Sequence, residues 1–577
     1  MSEPVSAPSP TRRGLHRAIA GGLATAAVAP MLVAGDAAAV AGASGPQGKV
    51  QDKKQRKWHR CKVHRKHTCW KARTCKHRRH KPHVGQSDDP PVVETPIPAV
   101  ELPDAFALHL GSRFSYGMTP ALHAEMQATG GAAAWFAAQL QPASVPDPVG
   151  DDLQSWWTSN NLDTASIIQR DKTGVEAAWV AMTNYQRWCL ARRIYSKRQV
   201  LETVTEFFEN HLHVPVQDDG VHGFRAAYGK LIRSHALGRF DQMLVAAITH
   251  PAMGCSLDNA TSTKNAPNEN LGRELLELHT VGRGQHDEDD VKNSARILTG
   301  YRVDMWRTWN SWYEPNSHWT GPVEVLGFTH PNAAADGRPV AEAYLTYLAH
   351  HPATATRLAR KLALRFVSDS PSQGLVQHLA DVYLAHQTAI VPVLQALVAH
   401  PEFAASAGAK VRTPTDDVVA TYRALDVRVS RPTSDDSTAN AILWQTSSVG
   451  QMPFGWARPD GQPEGGAAWS SASRVLASFE THYAMCGGWW PKKDATYHPL
   501  TYWVPLSGTE VMRFDSLVEH LSRRLLCRPA SARVVDACSL ATGLAPGTAI
   551  TLKHALVKWG MPLLLTTLLD SPEHMSR

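Results

Sequence analysis

Asn268-Glu269-Asn270-Leu271-Gly272-Arg273-Glu274-Leu275-Leu276-Glu277-Leu278-His279-Thr280-Val281-Gly282 is the stretch from which the architecture of this 577-residue chain is read. Pro267 precedes it and Gly282 closes it, the start and stop signals of a helix. Asn268 is placed to cap that helix with its side-chain oxygen. Leu271, Leu275 and Leu278 recur at i, i+4, i+7 and must face a core. Asn270, Glu274 and Glu277 share a second line, and Glu269, Arg273 and Glu277 form a ladder on a third. His279 lies about half a turn from the Asn270 line and joins it only by leaving the α-helix. Two readings stand side by side: an ion-paired helix face, or carboxylates, a guanidinium and an imidazole assembled for chemistry.

Outward from this helix the helical period recurs. Leu122 to Leu140, Ala177 to Ile194 and Val200 to Leu212 each read as helix, with Trp188, Phe207 and Phe208 as core candidates. No runs of alternating β-branched residues with hairpin turns are seen, and no repeat of 20–50 residues. The expected fold is therefore mainly α: a large single helical domain over 105–577 with few short strands. Glu202, Glu206, Glu209 and His213 fall on one helical face. Glu206, Glu209 and His213 are the candidate ligands of a divalent metal, and the competing reading is an exposed acidic face. Asp287 is expected to cap the following helix, with Asp290 at its third position. Cys527 and Cys538, on what read as adjacent helices, are candidates for a bridge.

Charge divides the chain. Its formal net charge is +7, yet residues 49–83 hold 15 Lys/Arg against one acid, and from residue 84 onward 41 basic face 49 acidic residues. An acidic body thus follows a basic arm. Residues 1–43 read as a twin-arginine signal peptide: Arg12-Arg13, a mild Ala/Gly-rich apolar run, then small-residue cleavage sites at Ala39-Val40-Ala41 and Ala41-Gly42-Ala43. That run is too weak and too interrupted, by Pro30, for a membrane span, and no later segment is long and apolar enough. The protein is expected to be exported and to work in the periplasm, at the cell wall or outside the cell. Residues 44–83, rich in Cys, His, Lys and Arg, contain almost no aliphatic side chains and read as a disordered arm. Their charge suits an anionic wall polymer or acidic polysaccharide, nucleic acid being disfavoured outside the cytoplasm. Cys61, Cys69 and Cys75 leave both a disulfide and a metal knuckle open. Residues 84–104 form a Pro-rich linker.

A set of short motifs, in fixed order, carries a resemblance. His250-Pro251-Ala252-Met253, Leu257-Asp258-Asn259, Asn268-Glu269-Asn270, Arg273-Glu274-Leu275-Leu276-Glu277-Leu278-His279-Thr280, Asp290-Val291 and Leu298-Thr299-Gly300 follow one another closely. Further along come His351-Pro352-Ala353-Thr354, His400-Pro401-Glu402-Phe403, Gly455-Trp456 with Trp469 and Arg474, and Ser571-Pro572-Glu573. Together with Asn210-His211 they resemble the bacterial domain-of-unknown-function family numbered 1800, over nearly the whole body. The resemblance implies no activity. The chain departs from the family's pattern at Leu271-Gly272, where a Tyr is usual, and at Glu209 and Tyr301. It also reads His318-Trp319-Thr320-Gly321 where the family has a His-Asp element.

Two functional classes follow. One is an exported hydrolase-like enzyme acting on a polymer, metal-assisted or not, with Asn210, His211, Glu269, Arg273, Glu274, Glu277 and His279 as catalytic candidates. Asp258, Asn259, Asn268 and Asn270 would bind substrate, as would Trp306, Trp309, Trp312 and Trp319, whose rings either stack on sugars or pack as a lid. The other is a non-catalytic surface scaffold tethered by its arm. No nucleophile elbow, phosphate loop, dinucleotide fingerprint or zincin motif is present.

Overall fold

The computed structural model describes residues 95, 96 and 100–577 without 219, together with the backbone of 59–60 and 68–69. Within the unit Met1–Asp89 this leaves one antiparallel pairing, His59–Arg60 with Thr68–Cys69. The expected signal peptide, the remaining arm with its expected disorder and most of the expected linker lie outside the described residues.

The unit Pro90–Arg577 is mainly helical, with a few two-stranded ladders. Its first helix, Ala105–Phe114, starts where Asp104 accepts a hydrogen bond from the Ala107 N–H at 2.7 Å. The single helix expected over Leu122–Leu140 is two, Pro120–Ala128 and Ala132–Gln139. Gly130 and Gly131, at φ 98° and 102°, turn the chain between them through a region closed to most side chains. Among the ladders, Tyr301–Val303 pairs with Ser311–Tyr313 and Val323–Val325 with Phe328–His330. Two large apolar clusters fill the interior. One gathers Phe114, Phe207, Phe208, Phe240, Leu271, Leu275 and Phe366; the other gathers Val418, Tyr422, Leu517 and Leu564. Among the described residues no helix is long and apolar enough to cross a membrane.

The helix quoted at the outset changes pitch. It runs as α-helix over Glu269–Glu274, with Asn268 accepting from the Asn270 N–H at 2.9 Å, and continues as one π-turn over Leu275–His279. Leu271, Leu275, Leu276 and Leu278 are all buried, as the stripe requires. Thr280 holds the wider turn by donating its hydroxyl to the Leu275 carbonyl at 2.6 Å. Gly272 lies where the Glu288–Ile297 helix crosses: a Cβ there would sit 2.9 Å from the Ala295 nitrogen. That neighbouring helix opens on the expected capping box of Asp287 and Asp290.

The bridge expected between Cys527 and Cys538 is not formed, and all five described cysteines are free and buried. Cys527 sits just past the Phe514–Leu525 helix at φ 52° and turns into the first apolar cluster, whereas Cys538 packs in the second.

Candidate functional site

The helix Gln199–His211 and the π-turn meet at their ends. His211 Nε2 donates to the His279 carbonyl at 3.1 Å, and His279 Nδ1 donates to the His211 carbonyl at 3.0 Å. This reciprocal pair fixes both tautomers. His211 Nδ1 is left as an acceptor and receives Lys361 Nζ at 3.0 Å from the helix Pro352–Phe366. Arg357, one turn earlier, donates through Nε and Nη2 to the Leu278 carbonyl, each at 3.2 Å. His279 Nε2 is buried without a partner. Burial, then the charge of Lys361, drives His211 well below the ordinary imidazole value. Burial takes His279 down to about 3. Burial and Arg357 bring the Lys361 ammonium down to about 8, with Glu464 and Asp460 pulling the other way.

On the outer side of the same turn the two carboxylates part company. Glu277 Oε2 accepts from Arg283 Nε at 3.0 Å, and its Oε1 lies 3.8 Å from His286 Nε2. Glu274 is half-buried, and its Oε2 is shielded from solvent with no hydrogen-bond partner. Burial, then the charge of Glu277, raises its carboxyl above the usual range. One acid is therefore pushed toward its protonated form while its neighbour three residues on keeps an arginine partner, an asymmetry of surroundings that acid–base chemistry can use. The Glu269/Arg273/Glu277 ladder is not made as spaced. Arg273 is 3.4 Å from Glu269 but grips Glu288 with both terminal nitrogens, at 2.7 and 2.8 Å, because the π-turn carries Glu277 round to Arg283.

A family model described as "Protein of unknown function (DUF1800)" matches residues 109–576. The chain belongs to the DUF1800 family. No curated protein and no solved structure matches it. Both histidines, Lys361 and both carboxylates lie within the span of the DUF1800 match.

Elsewhere in this DUF1800 body the candidates separate. Asn210 faces the 461–464 loop, donating to the Gln462 carbonyl at 2.9 Å and Glu464 Oε1 at 2.8 Å, and accepting from the Gln462 N–H at 2.6 Å. None of these bonds is to Glu277, whose partners are Arg283 and His286. The ligand set Glu206, Glu209 and His213 is not assembled. Glu206 is taken by Arg193 and Arg365 at 2.8 Å each and by the Tyr116 hydroxyl, also at 2.8 Å. Glu209 is taken by Arg225 at 3.1 Å and Tyr185 at 2.9 Å. The helix stops at His211, so His213 leaves the helical line and bonds the Trp456 carbonyl at 2.8 Å. Nor is this face an exposed acidic one, since Glu202 and Glu209 are buried.

The proposed binding residues divide likewise. Asn270 Nδ2 donates to the Asp258 carboxylate at 3.0 Å, Asn259 Nδ2 to the Leu298 carbonyl at 3.0 Å, and Asn268 caps its own helix, so all four side chains are engaged within the fold. Trp309 and Trp319 pack against the core, while Trp306 and Trp312 are 65% and 44% exposed, leaving only these two as free stacking faces. A cleft of about 640 Å³ lies apart from all of them, walled by Tyr195, Lys197, Arg423, Asp426, Trp503 and Arg524. Lys361 lies at the end of the element, His351 through Lys361-Leu362, that resembles the family's middle, but a lysine amid helical apolar spacing gave no reason to count it among the site candidates. Asp417, His482 and His574, the group able to hold a metal among the described residues, went unmarked because they are spread over more than 150 residues.

Proposed function

We propose that this DUF1800 chain is an exported enzyme that hydrolyses an envelope or extracellular polymer, with Glu274 as proton donor and Glu277 as its ionised partner. The carrying observation is the pair itself: a shielded, unpartnered carboxyl whose pKa is raised, beside a carboxylate held by Arg283. Glu274 would give its proton to the leaving oxygen of a glycosidic-type bond. Glu277 would take a proton from the attacking water, and the two would exchange protons through solvent to restore the resting state. The His211–His279–Lys361 group fixes the turn beneath them. Trp306 and Trp312 offer stacking faces to sugar rings, and the twin-arginine leader and basic arm deliver and hold the enzyme at anionic wall polymer.

The test is release of reducing ends from isolated wall polysaccharide by the full mature chain. Glu274→Gln is expected to lower the rate by about 10²–10⁴-fold, the usual worth of a positioned general acid, while Glu269→Gln leaves it unchanged. No release of reducing ends by the wild-type chain defeats the reading. A second reading, a non-catalytic polymer-binding protein, is favoured by the 640 Å³ cleft with Arg524 over the rings of Tyr502 and Trp503. Polymer binding without turnover, abolished by Arg524→Ala and untouched by Glu274→Gln, would select it.

A further inference from the structure

Away from the π-turn, three helices bring together side chains that the proposed reaction does not use. Asp417 comes from the helix Pro414–Ala424, His482 from Ala472–Cys486 and His574 from the short helix Pro572–Met575. All three are buried, and one ligand atom of each lies within 4.8 Å of the other two. Asp417 Oδ1 is 3.3 Å from His482 Nε2 and 3.7 Å from His574 Nε2.

The spacing within a single ring is informative. His482 Nδ1 makes a tight 2.7 Å contact with Asp570 Oδ1, whereas its Nε2 stays 3.3 Å from Asp417. A charge-assisted N–H···O bond closes to about 2.7–2.9 Å, so the second contact is slack by comparison. Two ligands bound to one tetrahedral zinc ion at about 2.0–2.1 Å stand about 3.3–3.5 Å apart. The pair Asp417–His482 has that separation, His574 needs a few tenths of an ångström to reach it from Asp417, and the ligand nitrogens of the two imidazoles lie within 4.8 Å of each other.

The surroundings repeat the pattern of a ligand shell. Asp570 accepting from the far nitrogen of His482 is the carboxylate–histidine arrangement that orients metal-bound imidazoles. The other oxygen of Asp417 is occupied by Ser478 Oγ at 2.7 Å and Arg474 Nη2 at 3.3 Å, so Oδ1 is the oxygen that faces the two imidazole nitrogens. Thr421 Oγ1, 3.4 Å from His574 Nε2, is at hand as a fourth ligand. Arg474 opposes a cation here, as does Arg412, which donates to the His574 carbonyl at 2.6 Å; the two carboxylates, Asp417 and Asp570, offset them.

We infer that Asp417, His482 and His574 form a closed structural site for a zinc-class divalent cation, clasping the last helix to two core helices. Two imidazoles and one carboxylate favour zinc-class ions over calcium or magnesium. This inference is independent of the hydrolase reading.

The test measures metal in the full mature chain bearing Cys61→Ser, Cys69→Ser and Cys75→Ser, which removes the arm's thiols as rival ligands. With zinc alone or cobalt(II) alone as probe, about one equivalent is expected to survive gel filtration, and the cobalt form should show the visible bands of a low-coordinate site. Chelation should lower the unfolding midpoint. His482→Ala should lose the ion. Should that variant not fold, Asp570→Asn, which keeps all three ligands, is expected to weaken affinity about 10–100-fold, and His574→Gln should weaken it further. No ion retained at micromolar zinc or cobalt overturns the inference and makes the cluster a buried ion pair, with an imidazolium His482 between two carboxylates. An ion retained equally by every variant also overturns it, by placing the metal elsewhere.

Discussion

Lys361 is the residue whose environment is most at odds with its charge. Its ammonium touches a neutral imidazole and faces Arg357, with no carboxylate in contact. With its folded value at about 8, the unfolded chain binds more protons between that pH and the ordinary lysine value, so stability rises with pH across this window. Lys361→Met should therefore stabilise the fold at pH 7 by about 1–3 kcal/mol, net of one lost hydrogen bond, with the gain fading by pH 10 in urea titrations. An unchanged or lowered midpoint at pH 7 would show that the ammonium is not an uncompensated buried charge. At Glu277 the partner is Arg283, which is 74% exposed, so Glu277→Ala should cost at most about 1 kcal/mol. A larger loss in the same titration would mean that Glu277 supports the core. That partner was not legible in sequence, where helical spacing pointed to Arg273; the polar residues of the stretch were found, and their pairing was not.

At the scale of the element, the α-to-π change gives the quoted helix its reach. An α-helix through Leu278 would turn His279 away from His211; the wider turn brings it back, and Thr280 pins the register. Thr280→Val should cost about 1–2 kcal/mol for an orphaned carbonyl and loosen the His211–His279 bonds, visible as faster amide exchange across 275–280. Gly272→Ala should cost about 1–3 kcal/mol by overpacking, since its Cβ would meet the backbone of Ala295 and Val291 rather than a movable side chain. A neutral effect on the unfolding midpoint would mean that the two helices separate freely. The leucine stripe announced the helix and its buried face correctly. The pitch change was hidden because Leu275, Leu276 and Leu278 satisfy either winding, and the hydroxyl that selects one comes from Thr280, beyond the stripe.

For the whole molecule, the helical class was readable because apolar period and caps agree over most of the body, whereas the candidate site depends on which helix ends meet, and no local pattern encodes that. Burial also sets the acid limit. His109, His213, His250 and His520 are lowered to about 4 and His279 to about 3, each chiefly by burial. The unfolded chain takes up these protons first, so stability is lost as pH falls through 6.5, each group contributing about 1.4 kcal/mol per pH unit until its folded value is reached. Glu202 extends the loss: burial opposes its charge, but Arg192 and Arg233 hold it down to about 2, so their contribution disappears below about pH 4.5. An unfolding midpoint that stayed level from pH 6.5 to 4.5 would contradict this. The arm makes a separate prediction. A chain starting at Ala105 should lose retention on anionic wall material, and the retention of the full mature chain should fall steeply between about 50 and 200 mM salt. Equal retention of both, with one salt slope, would make the arm a bystander.

The five sealed thiols turn the body into its own reporter. Burial raises Cys255, Cys486, Cys527 and Cys538 to about 12 and Cys189 higher still, so little thiolate exists to react at neutral pH. An alkylating dye should therefore leave the native body unmodified even without reductant, and its rate of incorporation would time the opening of each region. Cys189 and Cys255 would clock the half that holds the histidine pair, and Cys486 and Cys538 the half around Tyr422.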